Sequence, residues 1–173
     1  MKRVLAYTVA AATVAVNLLM QPLLMARAPM TLIPGLADFY PAWNRGVSFS
    51  LFTQNSEMGR YLLMAVLALI SAAVALMAWR AENRLSAIAY GLILGGALGN
   101  LIDRARFGGA VFDFLSLHLG ATPLFICNLP DIAISAGVVL LFVEALLVPK
   151  AGAEDSGPPP PHARKRIRGG GGC

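Results

Sequence analysis

Residues 86–104 read SAIAYGLILGGALGNLIDR. From Ser86 to Ile102 the chain carries no charge, and then Asp103 and Arg104 arrive together. An uncharged run of this length approaches the roughly 20 apolar residues of a membrane-crossing helix. The run is continuous and does not alternate with period two, so it reads as a helix and not as a barrel strand. Three other stretches read the same way: Val4–Met25, interrupted by Asn17, Gln21 and Pro22; Tyr61–Trp79, with an aromatic anchor at each end; and Ile132–Val148, with Glu144 near its end. Composition agrees. Of 173 residues 57% are hydrophobic and 13% charged, against about 25% charged in a soluble domain. A disordered chain is excluded by the apolar content, a disulfide-stapled scaffold by a cysteine count of 2, and a soluble domain by the apolar surface it would expose. The expected fold is an all-α membrane protein of four transmembrane helices.

Lysine and arginine placement sets the orientation. With four spans, nine basic residues fall on one side (Lys2, Arg3, Arg80, Arg84, Lys150, Arg164, Lys165, Arg166, Arg168) and five on the other (Arg27, Arg45, Arg60, Arg104, Arg106). The positive-inside rule then puts both termini in the cytoplasm. The net charge of +5 reflects this topology and a basic tail, and no nucleic-acid partner is expected. The N-terminal apolar run is longer than the 7–15 residues of a cleavable signal, so it is expected to remain as a span. Residues 1–150 form the membrane domain. Residues 151–173, rich in proline, arginine and glycine, read as a disordered cytoplasmic tail.

The outer loop 27–60 is the sizeable extramembrane segment. The alternation Val47, Phe49, Leu51 suggests a short strand, and Ser56–Tyr61 suggests a helix lying at the interface. A small, partly β outer subdomain between helices 1 and 2 is therefore expected, resting on the membrane.

Buried polar residues are costly in a bilayer and mark function. Nine acids occur, and Asp103, Asp113, Asp131 and Glu144 lie at or near membrane depth. Glu144 belongs near the cytoplasmic interface, where it is expected to snorkel. Asn100, Asp103, Arg104, Asp113, Asn128 and Asp131 gather at the outer face. Asn100, Asp103 and Arg104 are spaced i, i+3, i+4 on one helix face. Asp103 and Arg104, as chain neighbours, should each have a separate partner. Asp113 and Asp131 lack an obvious cation. Two such carboxylates tend to share a proton, and can then activate a water as base and protonate a leaving group as acid. Pro130 suits a first helical turn, which places Asp131 near the positive end of a helix dipole and suits it to the role of base.

Other chemistries lack parts. Histidine occurs only at 118 and 162, and Cys127 and Cys173 fall on opposite sides, so no metal site is expected. Cys127 should pack as a small hydrophobe at the start of the fourth span. Ser48, Ser50 and Ser116 have no evident base. The glycines of Gly95-Gly96-Ala97-Leu98-Gly99 lie inside a span, where they permit close helix packing.

Four segments carry a family resemblance: Asn44-Arg45-Gly46-Val47-Ser48-Phe49, Gly95 through Arg104, Val111-Phe112-Asp113-Phe114, and Asn128-Leu129-Pro130-Asp131. In this order, in a chain of this length, they resemble the lipoprotein signal peptidases (signal peptidase II), bacterial aspartyl proteases of the inner membrane. The resemblance covers about residues 1–150. It implies removal of the signal peptide from diacylglyceryl-modified prolipoproteins, by cleavage before the lipidated cysteine. It implies Asp113 and Asp131 as the catalytic dyad. It implies that Asn44, Gly46, Asn100, Arg104 and Asn128 bind substrate or orient the dyad, and that Asp103 braces the site. It further implies no cofactor or metal, an active site on the periplasmic side, lipidated precursors and membrane lipids as partners, sensitivity to globomycin, and a monomer. The first span departs from the pattern: where the family carries Asp-Gln and then Lys four residues after that aspartate, this chain has Asn17, Leu18 and Gln21. Asn17 could keep a hydrogen bond to a partner such as Arg104, without the charge. Two alternatives follow: a relative that binds precursors without cleaving them, or a small proton-coupled transporter using the same acids.

Overall fold

The structure, a computed structural model, describes residues 1–46 and 57–147. Four helices are long and apolar enough to cross a membrane: α1 (Lys2–Met25), α2 (Glu57–Trp79), α3 (Arg84–Arg106) and α4 (Leu129–Leu147). At about 1.5 Å per residue the longest reach about 35 Å, enough for the hydrocarbon layer. The stretch from Glu57 to Tyr61, expected as a separate interfacial helix, is the first turn of α2. The strand expected at Val47–Leu51 and the tail expected to be disordered lie outside the described residues.

The most buried helix is α3, which packs on α1, α2 and α4. Its glycines make that possible. A Cβ at Gly91 or Gly95 would strike the backbone of α1, at Ala6 O and Ala10 O (2.6 and 2.8 Å). One at Gly96 would strike the carbonyl of Pro130 in α4, and one at Gly99 the Pro130 ring. Small residues thus let α3 touch two partners at backbone distance, as the glycine run predicts. By contrast, Leu19, Leu69 and Leu146 on the other three helices are 74%, 72% and 70% exposed, which suits faces turned to lipid.

One end of the bundle carries a four-stranded antiparallel sheet, in the order β1 (Met30–Ile33), β2 (Ala37–Asn44), β3 (Val111–Leu119), β4 (Thr122–Cys127). The β element expected between helices 1 and 2 is present, but it is only half of the sheet. The other half comes from the connection between α3 and α4, which the sequence reading left without strands. The cause is pairing: β2 supplies an edge that β3 completes, with Ala42 opposite Asp113 and Asn44 opposite Val111. Gly120, with φ +58°, opens the tight turn from β3 to β4, and its N–H reaches the Gly35 carbonyl at 2.9 Å, tying the two hairpin turns together. His118 lies beside this tie, with Nε2 3.1 Å from Asp38 Oδ2 on β2.

At the other end Asn83 caps α3, accepting from the Ser86 N–H at 2.9 Å. The Asn83 amide and the Ser86 hydroxyl (2.6 Å) both donate to Oε1 of Glu144. Glu144 therefore does not snorkel away: it fastens α4 to the start of α3, because two short donors reach it there.

Candidate active site

The polar residues at the sheet end arrive from four elements. Asn44 closes β2, Asn100 lies in the last two turns of α3, Asp113 is the third residue of β3, and Asp131 is in the first turn of α4. Asn128 stands just before α4 and is its cap: its side-chain oxygen accepts the Asp131 N–H at 2.8 Å. The expectation that Pro130 would open a helix with Asp131 in its first turn holds.

The site is one connected network. Asp113 Oδ1 accepts from Asn128 Nδ2 at 2.7 Å, and Oδ2 from Asn44 Nδ2 at 3.0 Å. Asp131 Oδ1 accepts from Asn100 Nδ2 at 2.8 Å. The Asn128 amide also lies 3.1 Å from Asn100 Oδ1, and its backbone N–H 3.4 Å from Asp131 Oδ2. One asparagine therefore touches both acids. Asp113 and Asn128 are each 2% exposed. Burial is the main force on Asp113, and with the nearby charge of Asp131 it outweighs the Asn44, Asn128 and Arg104 contributions and pushes the carboxyl up to about 6. This acid can hold a proton near neutral pH.

Each remaining residue has a traceable place. Gly46 has φ +131°, a conformation suited to glycine, and its N–H donates to Asn44 Oδ1 at 3.0 Å. That bond fixes which face of the Asn44 amide is turned to Asp113. Arg104 Nη1 donates to the Asn100 carbonyl at 3.4 Å, and its buried Nε has no partner among the described residues. Asp103 and Arg104 do have separate partners, as their adjacency requires. Asp103, 1% exposed, turns away from the acid pair and accepts from Gln21 on α1 at 2.7 Å. The three residues expected on one face of α3 thus divide between two neighbours, because positions i and i+3 differ by about 60° around a helix.

The sequence marks both Asn17 and Gln21 in the first span and suggests a partner only for Asn17. Asn17 was expected to hold Arg104, but its buried Nδ2 has no partner among the described residues. Gln21, one turn later, makes the polar contacts. Cys127 is the buried last residue of β4 and not part of a helix. Burial, with Asp131 and Asp113 nearby, pushes its thiol up, away from the thiolate a nucleophile needs.

Beside Asp131 opens a cavity of about 630 Å³ between β3, β4 and α4, walled by apolar side chains that include Leu115, Leu117, Phe125 and Ile132. The arrangement is a buried acid, Asp113, bridged by amides to a half-buried one, Asp131, at the mouth of a greasy groove. It can move protons at a bond brought in by an apolar segment.

Known proteins are similar to this chain in sequence and in fold. The profile of the signal peptidase (SPase) II family matches residues 6–147. A lipoprotein signal peptidase of Methylorubrum extorquens (strain PA1) is 50% identical over 130 residues, 73% of this chain and 74% of that protein. One of Methylobacterium sp. (strain 4-46) is 46% identical over 123 residues, 71% and 73% of the two chains. Among solved structures, a bacterial membrane enzyme determined in meso at 1.9 Å superposes with a TM-score of 0.68 at 22% identity, over 82% of this chain and 92% of that one. That last likeness speaks for the fold.

Proposed function

This chain belongs to the signal peptidase II family, multi-pass membrane proteases that act on lipoprotein precursors, and on that premise we propose that Asp113 and Asp131 are its catalytic pair. The observation that carries the proposal is Asn128, whose side chain caps the helix of one acid while donating to the other. The substrate is a diacylglyceryl-modified precursor, cut before the lipidated cysteine. The apolar groove ending at Asp131 suits its hydrophobic segment.

The chemistry follows from the geometry. Asp113, raised to about 6 by burial, enters with a proton. Asp131, at a helix N-terminus, takes a proton from water, and the hydroxyl attacks the scissile carbonyl carbon. Asp113 gives its proton to the carbonyl oxygen. As the tetrahedral intermediate collapses, one of its hydroxyls returns a proton to Asp113, the C–N bond breaks, and the leaving amine takes the proton held by Asp131. Arg104 and Asn44 hold the peptide and the acids in register, and Asn100 fixes the Asp131 carboxylate. In this reading the enzyme lies in a bacterial inner membrane with both termini cytoplasmic and the sheet end periplasmic, works as a monomer without a metal, and is blocked by globomycin.

The test is release of signal peptide from a lipidated precursor by the purified full chain. Asp113→Asn and Asp131→Asn should each abolish it. Full cleavage by either variant overturns the pair. Precursor binding without turnover by the unaltered chain would make it a non-cleaving relative.

A further inference from the structure

Among the deeply buried polar residues to which the proposed mechanism gives no role, Gln21 contacts two charged groups. Gln21 lies on α1 and is 3% exposed. Its Nε2 donates to Asp103 Oδ2 at 2.7 Å, and its Oε1 accepts from Arg106 Nη1 at 3.3 Å. An amide is suited to this place because it offers a donor to the carboxylate and an acceptor to the guanidinium at once. Asp103 in turn lies within electrostatic reach of the backbone of Phe112, the residue before Asp113. It also lies three residues after Asn100, which holds Asp131, and one before Arg104, which bonds the Asn100 carbonyl. The turn of α3 that steadies one acid and the strand start that carries the other therefore meet at Asp103.

We infer that Gln21 is a positioning residue: braced by Arg106, it fixes Asp103, and through Asp103 it sets the α3 turn and the β3 start on which Asp131 and Asp113 depend. This rests on the proteolytic reading of the site. The charged groups facing Gln21 are Asp103 and Arg106, both from α3. Asp113 from β3 and Asp131 from α4 act on Arg104, one residue further round.

The experiment follows cleavage of a lipidated precursor by the purified full chain across pH, with kcat and KM resolved. Gln21→Leu should lower kcat about tenfold or more, since a buried carboxylate loses its donor, with KM little changed. Gln21→Lys restores the donor to Asp103 but not the acceptor to Arg106, and should recover only part of that loss. In Gln21→Glu the new oxygen can donate to Asp103 only when protonated, so its rate relative to the unaltered chain should rise as pH falls. A residue that merely stabilises the fold would alter thermal stability and leave that ratio flat. An unchanged kcat in Gln21→Leu, or a flat ratio in Gln21→Glu, overturns the inference. Infrared titration of the Asp113 carboxyl, with Asp113→Asn as blank, separates the two levels. In Gln21→Leu the carboxyl should titrate away from its place near 6, whether or not the chain cleaves, and an unmoved titration overturns the inference. Cleavage by Asp113→Asn at the unaltered rate instead overturns the acid pair on which the inference rests.

Discussion

The two ends of the bundle use the same device for different purposes. At one end Asn83 caps α3 through the Ser86 N–H and donates its amide to Glu144. At the other Asn128 caps α4 through the Asp131 N–H and donates its amide to Asp113. Both are capping asparagines that hold a carboxylate from another element. They differ three residues on. The first cap is followed by Ser86, a hydroxyl that joins in holding the lone acid. The second is followed by Asp131, which brings a second acid to the first. A fastening between helices and a candidate catalytic pair are thus separated by one side chain.

Asp131→Ser rewrites the sheet end in the pattern of the far end, and is the largest break to be made. The rate of precursor cleavage should fall by about 10³-fold or more, as for loss of an acid–base partner, while circular dichroism stays helical. Asn128→Ala removes cap and bridge together. It should lower kcat by about 10²-fold, from misplacement of the acids, and destabilise the fold by about 1 kcal/mol through the lost cap. Gly96→Ala presses a methyl on the Pro130 carbonyl and shifts the start of α4. A fall in kcat of about tenfold is expected from so small a displacement, and unchanged kinetics would show that Asp131 is held without the glycine contact. Asn44→Ala removes a bond that lowers the Asp113 carboxyl, so that acid should titrate higher than about 6. In the proposed mechanism the working form of Asp113 carries the proton, so the rate falls as pH rises through this region, and the variant's alkaline limb should move upward in a pH–kcat profile. Glu144→Gln keeps a hydrogen-bonding side chain in the far fastening. Activity should stay within about threefold, with about 1 kcal/mol or less lost in thermal unfolding. A large loss of activity there would mean that the two ends are coupled.

The helices were legible in the sequence because lipid demands long uncharged runs, and the run from Ser86 to Ile102 is unmistakable. Asp113 and Asp131 were legible because acids are scarce and costly at that depth. The strands after α3 were not. The segment Val111–Leu119 does alternate, with Val111, Leu115 and Leu117 on one face, but Asp113 interrupts that face, and its pairing partner β2 lies some seventy residues earlier. The role of Gln21 was not legible for a similar reason. A lone glutamine in an apolar run gives no sign of a partner, and its carboxylate is 82 residues away in sequence. Asn17, which shares with Gln21 a place in the first-span pattern, has a buried amide without a partner among the described residues.

The order of elements along the chain has a consequence for biogenesis. Asn44 emerges from the ribosome before α2, Asn100 and Asp113 follow with and after α3, and Asp131 comes only with α4. A partly synthesised chain, even with three helices inserted, holds a single acid of the pair and no Asn128 to orient it. With Asp113 and Asp131 as the proposed pair, the protease is silent until its final helix enters the bilayer, and insertion of that helix is in effect the switch that turns a nascent membrane chain into an enzyme.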